Sequence, residues 1–528
     1  MEAEGDLYEG MLVEGDRIGD LFKDCPSSYP AGARVIDLRG RTVLPGFTDS
    51  HAHFLGSSLL YHAGCQISEI SEGALRPDTV DAAIDKLAAF ASSRPGRSTP
   101  VVGFNYIVPS FKEERLPSRN ELDVALPDRK VVILGMDGHA SAYSSPALEA
   151  IGIDPKGHPG VLVGEEHDMH IGTMTDLVIS SLSLFDIILA MQKFAFHAAA
   201  RGLTCIHCLE GSEDKPNNLA LRLLILAARA LPIRLRLFTQ YRDTDDVQPF
   251  LKSLSYPRLG GCQAWEMDGS VGSLTAAFDE PFAGTEENRG RCYYSRDEIL
   301  PYVEKAHRQG FQVSTHAIGP RGIETILSAF EEVLSPESGD KNPRRHRIDH
   351  FEFPRPDQVK RAISNLGLLI TAQPGYAWMD ERFQKAYRKY LTPAQFESQI
   401  PLKTITDLGG VICGSSDSPV QDINPFLQIQ GMVDFPLQSQ KLSMFEALKA
   451  YTANGAYSTF EEDVRGSLAP GKYADFVILE DDPFTLPTNR VAEARVAETW
   501  IAGRPVVQNI LPPPLFLLKA LFSPKTLV

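Results

Sequence analysis

The sequence predicts an α/β fold, a TIM-like (β/α)8 barrel, on three observations. Eight short apolar runs of the kind that make buried strands recur along the chain. From about residue 185 onward, helical patterns separate most of them. Four of the runs end on histidine or aspartate: His51 with His53, then His316, His350 and Asp417. In such a barrel the C-terminal strand ends share one mouth, so these side chains are expected to meet there.

The first run is VLPGFTDSH. Residues 58–180 then break the rhythm, with a helix over Val80–Ser92, strand-like VVGF and VVILG, and a Gly/Pro-rich loop near 157–164. This interval predicts a long insertion after the first barrel strand, covering the mouth. Phe185–Arg201 sets Ile188, Met191, Phe194, Ala195 and Ala198 at helical spacing, Gly202 stops it, and LTCIH is the second strand. IRLRLFTQ and CQAWEMDG are the third and fourth. Ser295-Arg296-Asp297-Glu298 caps a helix that ends at Gly310, ahead of FQVSTH, the fifth. HRIDHFE is the sixth. A helix over Pro356–Asn365 stops at Gly367 before LLITA, and another stops at Gly409-Gly410 before GVICGSSD. VIDLRGRTVLPG before the barrel, and RGSLAPGKYADFVILE and ETWIAGRPVV after it, are short β patterns with Gly turns. They predict one β-sandwich built from residues 1–45 and 462–510, beside a barrel of 46–461. The apolar tail, 511–528, carries three consecutive prolines and reads as a docking segment.

Composition narrows the function. The 528 residues, 43% hydrophobic, suffice for a large barrel and a smaller companion. A net charge of -16 gives no basic face for nucleic acid. No apolar run reaches the roughly 18 residues of a membrane span, and MEAEGDLYEG lacks the order of a secretory signal. The expectation is a cytoplasmic protein with a small-molecule substrate and no nucleic-acid or membrane partner. A homodimer is one expected assembly, the oligomeric state being otherwise open. Seven cysteines without regular spacing make no disulfide framework, and Cys205 and Cys208, a C-x-x-C inside a strand-like run, read as core packing.

Residues two apart on a strand face the same way, so His51 and His53 can present two imidazoles to one ion. Neutral imidazole is a good zinc ligand. The H-x-H spacing is weak by itself. Joined by His316, His350 and Asp417, it makes the open N/O shell of a catalytic divalent ion, with a position left for water.

The segments VLPGFTDSHAHF, STHAIG, RIDHFE and GSSDSP resemble the amidohydrolase superfamily, and within it the YtcJ-like amidohydrolases. PSRNELD, ILGMDGHASAYSSPALEAIGI, EMDGSVGSLTAAF and GSLAPGKYADFVIL extend the resemblance over nearly the whole chain. It implies the barrel with its terminal sandwich, and hydrolysis of non-peptide C–N bonds, amide-like or cyclic. By position it implies His51, His53, His316 and Asp417 as ligands of a first metal. His350 is implied to bind a second metal or orient the nucleophilic water, and Asp417 to serve as general base. Zn2+ is the expected ion, with Mn2+ or Fe2+ as alternatives, in one or two copies. Many relatives place a lysine four residues before the aspartate of D-G-S, where it bridges two metals once carboxylated; here that position is Ala264. Glu266, and Glu165 or Glu166 in the insertion, are the candidate replacements, and one ion is favoured over two. The N-terminus is short, leaving the opening sandwich strand reduced or missing before Gly10.

The insertion is expected to supply substrate contacts: Asp137, His139 and Tyr143 from the M-D-G-H-A-S-A-Y loop, and Asn105 with Tyr106 from another. His207, Glu210, Gln373 and Trp378 lie near other strand ends. The same barrel leaves open a metal-dependent decarboxylase or isomerase, an ester or lactone hydrolase, and an inactive small-molecule binding protein.

Overall fold

A computed structural model describes residues 4–24, 28–30, 32–71, 74–93, 99–211, 219–335, 339–378, 387–524 and 528, with backbone alone at 69–71, 74, 75, 165, 168, 377 and 378. Eight strands form one parallel sheet in sequence order: β1 (Phe47–Ala52), β2 (Leu203–Glu210), β3 (Arg234–Thr239), β4 (Arg258–Glu266), β5 (Gln312–Ala317), β6 (Arg347–His350), β7 (Leu369–Ala372) and β8 (Ile412–Gly414). Just past β8 the chain crosses to β1, where Asp417 N–H donates to His51 O at 2.9 Å and His53 N–H to Ser418 O at 2.8 Å. The sheet is therefore a nearly closed TIM-like barrel. Seven of the strands coincide with the apolar runs of the sequence, as expected for strands covered on both faces, while β4 begins four residues ahead of its run CQAWEMDG.

The helices follow from local chemistry. Ser183 caps Leu184–Ala199 with a reciprocal bond to Asp186, and Ser295 does the same with Glu298 for Arg296–Arg308. Their buried faces, Ile188, Met191 and Phe194 in one and Ile299 and Val303 in the other, join a single apolar core around the barrel. The helix expected over Pro356–Asn365 is α-helical to Lys360 and finishes as a π turn over Arg361–Asn365.

The insertion carries its own five-stranded sheet, in the order Val161–Val163, Ala140–Tyr143, Val131–Gly135, Val101–Tyr106, Cys65–Gln66. A separate apolar core, with Ile67, Leu87, Phe111 and Ile133, holds it together. Elsewhere, Thr42–Pro45 pairs antiparallel with Phe476–Leu479, so one four-stranded sheet takes strands from both sides of the barrel. A hairpin of Gly10–Glu14 and Arg17–Phe22 packs Ile18 against Phe476 and Ile478 of that sheet. After it, a helix of Pro513–Phe522 buries Phe516 and Ala520 in the main core. Among the described residues no single helix is long and apolar enough to cross a membrane.

Candidate metal centre at the barrel mouth

His51, His53, His316, His350 and Asp417 are brought together at the C-terminal ends of β1, β5, β6 and β8. His51 is buried near the end of β1, and His53 follows it as the residue before the helix Phe54–Ala63. Their Nε2 atoms lie 3.2 and 3.3 Å from the same oxygen, Asp417 Oδ1. The His51 and His350 rings are 5.2 Å apart, and those of His316 and His350 4.4 Å. Asp417 and His350 both hold positive φ, +56° and +70°. That region is disfavoured for side chains other than glycine, and residues kept in it against this cost cluster at functional sites.

Buried partners fix the direction of the imidazoles. His350 Nδ1 donates to Gln373 Oε1 at 2.9 Å. The Gln373 amide is itself oriented, because its Nε2 donates to Ser415 Oγ at 2.8 Å. His350 Nε2 is thus turned into the mouth, towards Cys262. Similarly, His51 Nδ1 lies 3.1 Å from Asp349 Oδ2, so its Nε2 faces Asp417. Asp349 is gripped by Arg347 at 3.1 Å and by the Ser314 hydroxyl. Asp417 Oδ2 accepts from Tyr376 at 2.6 Å, while its buried Oδ1 lies between the His51 and His53 Nε2 atoms. A buried carboxylate oxygen so placed is completed by protons on those rings or by a cation in their place. Imidazole lone pairs around a carboxylate oxygen are a donor set that fits a divalent ion, and a carboxylate or amide behind each imidazole is the usual support.

The electrostatics agree. Burial opposes charge on His51 and His53, but the carboxylates of Asp417 and Asp349 outweigh it for His51, which rises well above its ordinary value. Asp417 and Cys262 do the same for His53, pushed up to about 10. Burial raises the Asp417 carboxyl, yet the His51 and His53 imidazoles overcome this and hold it well below its usual range. His316, buried and close to His350, is lowered to about 4 and stays neutral.

Sequence reading missed Cys262. The sequence placed the lysine-equivalent position at Ala264, which is instead packed in the main core. The reason is a bulge in β4. Pairing with β5 runs from Arg258–Gln312 to Gly261–Thr315 and resumes only at Glu266–His316, so residues 262–265 loop out of register. Alternation cannot be read across such a break. Cys262 Sγ ends 3.6 Å from His51 Nε2, and Glu266 reaches the same centre beside His316. Burial pushes the Cys262 thiol up, but His51 and hydrogen bonds from His316 and His350 outweigh it and hold it well below the ordinary range. The side chain of Glu165 lies outside the described residues.

The centre floors a cavity of about 430 Å³. Asn105, Asp137 and His139 line it, as do Glu210, Tyr376 and His167. Tyr106 and Tyr143 do not. Tyr106 is buried against Phe111, ring centroids 3.9 Å apart, with its hydroxyl donating to Arg115 O. Tyr143 is buried among Val132, Leu148 and Leu162. Tyr106 follows Asn105 directly on one strand and so faces the opposite way, into the insertion's own core. Asp137 spends its carboxylate on the β4–β5 loop, accepting from Ser270 Oγ at 2.7 Å and Ser273 Oγ at 2.5 Å. His207 is buried inside the barrel below the mouth, near Arg347.

The amidohydrolase family profile matches residues 34–507. The chain is 26% identical to YtcJ of Bacillus subtilis (strain 168), which is named as an amidohydrolase, over 96% of this chain and 98% of that protein. It is 24% identical to an N-substituted formamide deformylase of Arthrobacter pascens, with 95% of each covered. The solved structure of a metal-dependent hydrolase from Pyrococcus furiosus superposes with a TM-score of 0.66 at 22% identity, covering 90% of this chain and 95% of that one. With the profile spanning most of its length and the cluster supporting a divalent metal, this chain belongs to the amidohydrolase family and is a hydrolase of non-peptide carbon–nitrogen bonds.

Proposed function

We propose that the chain hydrolyses a neutral N-substituted amide carrying an apolar substituent, with Asp417 as general base. The observation that carries this is the convergence of His51, His53, His316, His350 and Asp417 under the cavity. A divalent ion, Zn2+ by its nitrogen-rich donors, would lower the pKa of water towards ~7 and polarise the scissile carbonyl. Asp417 is ionised at neutral pH, and Tyr376 holds one of its oxygens, so the other is oriented to take a proton from water and return it to the leaving nitrogen. Asn105 Oδ1 is buried with no hydrogen-bond partner while its Nδ2 donates to Ser68 O at 2.9 Å. It is placed to accept the substrate N–H. Among the described lining residues there is neither lysine nor arginine, whereas Leu59, Phe104, Met136 and Ile171 contribute apolar surface. A substrate carboxylate held away from the floor would find no lysine or arginine on these walls to pair with, which is costly. The name of the Arthrobacter relative supports the same bond type.

The test is a panel of N-substituted formamides, cyclic imides and N-acyl amino acids on the metal-loaded chain. Neutral N-substituted amides are expected to be cleaved, with Asp417→Asn slowing turnover by about 10³-fold or more while the metal is retained. Equal turnover of N-acyl amino acids would overturn the substrate class, and near-normal turnover in Asp417→Asn the base.

A further inference from the structure

The Cys262 thiol occupies the middle of the donor cluster. With ligand atoms mutually within 4.8 Å, the mouth holds three groups: His51, His53 and Asp417; His51, Cys262 and His350; and Cys262, Glu266 and His316. Cys262 belongs to two of these, and Glu266 to one. Its sulfur is within hydrogen-bonding reach of His53, His316 and His350 as well as His51. No backbone carbonyl or hydroxyl is needed to explain that position. The sulfur is buried among these imidazoles.

Packing forces Cys262 there. It follows Gly260 and Gly261, both at positive φ, +107° and +102°. A Cβ on Gly260 would come 1.7 Å from Ser314 O, and one on Gly261 1.8 Å from the Leu209 side chain. Only a pair of glycines lets β4 bend and present residue 262 inward. Cys262 thereby stands between the strand ends that carry His51 and His53 and those that carry His316 and His350.

We propose that Cys262 is a metal ligand whose thiolate bridges two divalent ions, one held with His51, His53 and Asp417 and the other with His316 and His350. Glu266 stands at the edge of the second position, its Oε1 accepting from Gln263 N–H at 2.8 Å. A thiolate carries one negative charge and enough lone pairs to serve two ions, and zinc-class ions accept sulfur readily. It supplies the charge that the alanine at residue 264 cannot. Metal binding fixes the thiol in its deprotonated form, with the proton released to solvent.

The proposal rests on the mouth being a divalent-metal centre, and the test separates the two. Apo protein is titrated with Co2+ and followed by metal analysis and absorption. The expected result is two equivalents per chain with a thiolate-to-cobalt charge-transfer band in the near ultraviolet. Cys262→Ala and Cys262→Ser should each bind at most one equivalent without that band. X-ray absorption on the unaltered zinc-loaded chain needs no variant and should show sulfur at about 2.3 Å and a second metal within about 4 Å. Two equivalents retained in Cys262→Ala, a single equivalent in the parent chain, or saturation with no sulfur signal would each overturn the bridge while leaving a metal centre. Failure of the parent chain to take up Co2+ at all would overturn both.

Discussion

Each imidazole at the mouth acts through the group behind it. Asp349 holds His51 from below, and Gln373 holds His350, so removing either support frees a ring without deleting a ligand. Asp349→Asn should weaken metal affinity by about 10–100-fold, read by competition with a chelator; unchanged affinity would mean the contact only packs. Protons compete with the metal here. Because His53 is raised to about 10 and His51 also lies high, both carry protons at neutral pH in the metal-free chain, and an ion must displace them. The sign follows: affinity falls with acidity, by about tenfold per pH unit for each proton displaced. Metal titrations between pH 6 and 8 should show that slope, and a flat profile would contradict it. The meeting of His51, His53, His316, His350 and Asp417 at one mouth was legible from sequence because each lies at or just past the end of a strand-like run. Tyr376, which grips Asp417, was not, because it sits in the short helix Gly375–Trp378 beyond β7, where no periodicity points inward.

At the level of elements, β4 departs most from its sequence pattern. CQAWEMDG reads as a strand, whereas the strand runs over Arg258–Glu266 and residues 262–265 bulge from it, so the alternation rule assigns its inward face to the wrong residues. The decisive signal was the Gly260-Gly261 pair just ahead of it, which marks a bulge rather than a plain strand. Gly261→Ala should cost about 1–3 kcal/mol in denaturant unfolding, as overpacking against Leu209 does, and should lower metal stoichiometry as Cys262 is displaced. A stable variant with unchanged metal content would show that the strand tolerates a straighter path. The other seven barrel strands were legible since a strand covered on both faces needs a continuous apolar run. The start of one helix was legible too, through Ser295, whose capping partner Glu298 stands three residues on.

Across the whole molecule, distant segments are tied to the barrel by specific buried contacts. Gln192 on the helix Leu184–Ala199 bonds Leu511 twice, donating to its carbonyl at 3.0 Å and accepting from its N–H at 2.9 Å. Beyond it Phe516 is only 2% exposed. Phe516→Ala should cost about 3 kcal/mol by thermal or denaturant unfolding, with metal content unchanged. No loss of stability would mean that the terminal helix rests on the barrel without contributing to it. The insertion was legible as an interruption of rhythm, but its internal sheet order was not, since strand pairing is set by contacts between segments far apart in sequence. It joins the barrel through an apolar cluster in which Ile107 and Met136 meet Val271 and Phe278, and through Asp137, which accepts hydroxyls from Ser270 and Ser273 on the loop after β4. Among the described residues the insertion lends no side chain to the donor groups, yet it walls the cavity above them. The donors thus come from the barrel alone, while the walls a substrate meets are shared between barrel and insertion. A graft that exchanged residues 58–180 for another cover, keeping an acceptor for those two serines, would give the same reaction a new clientele.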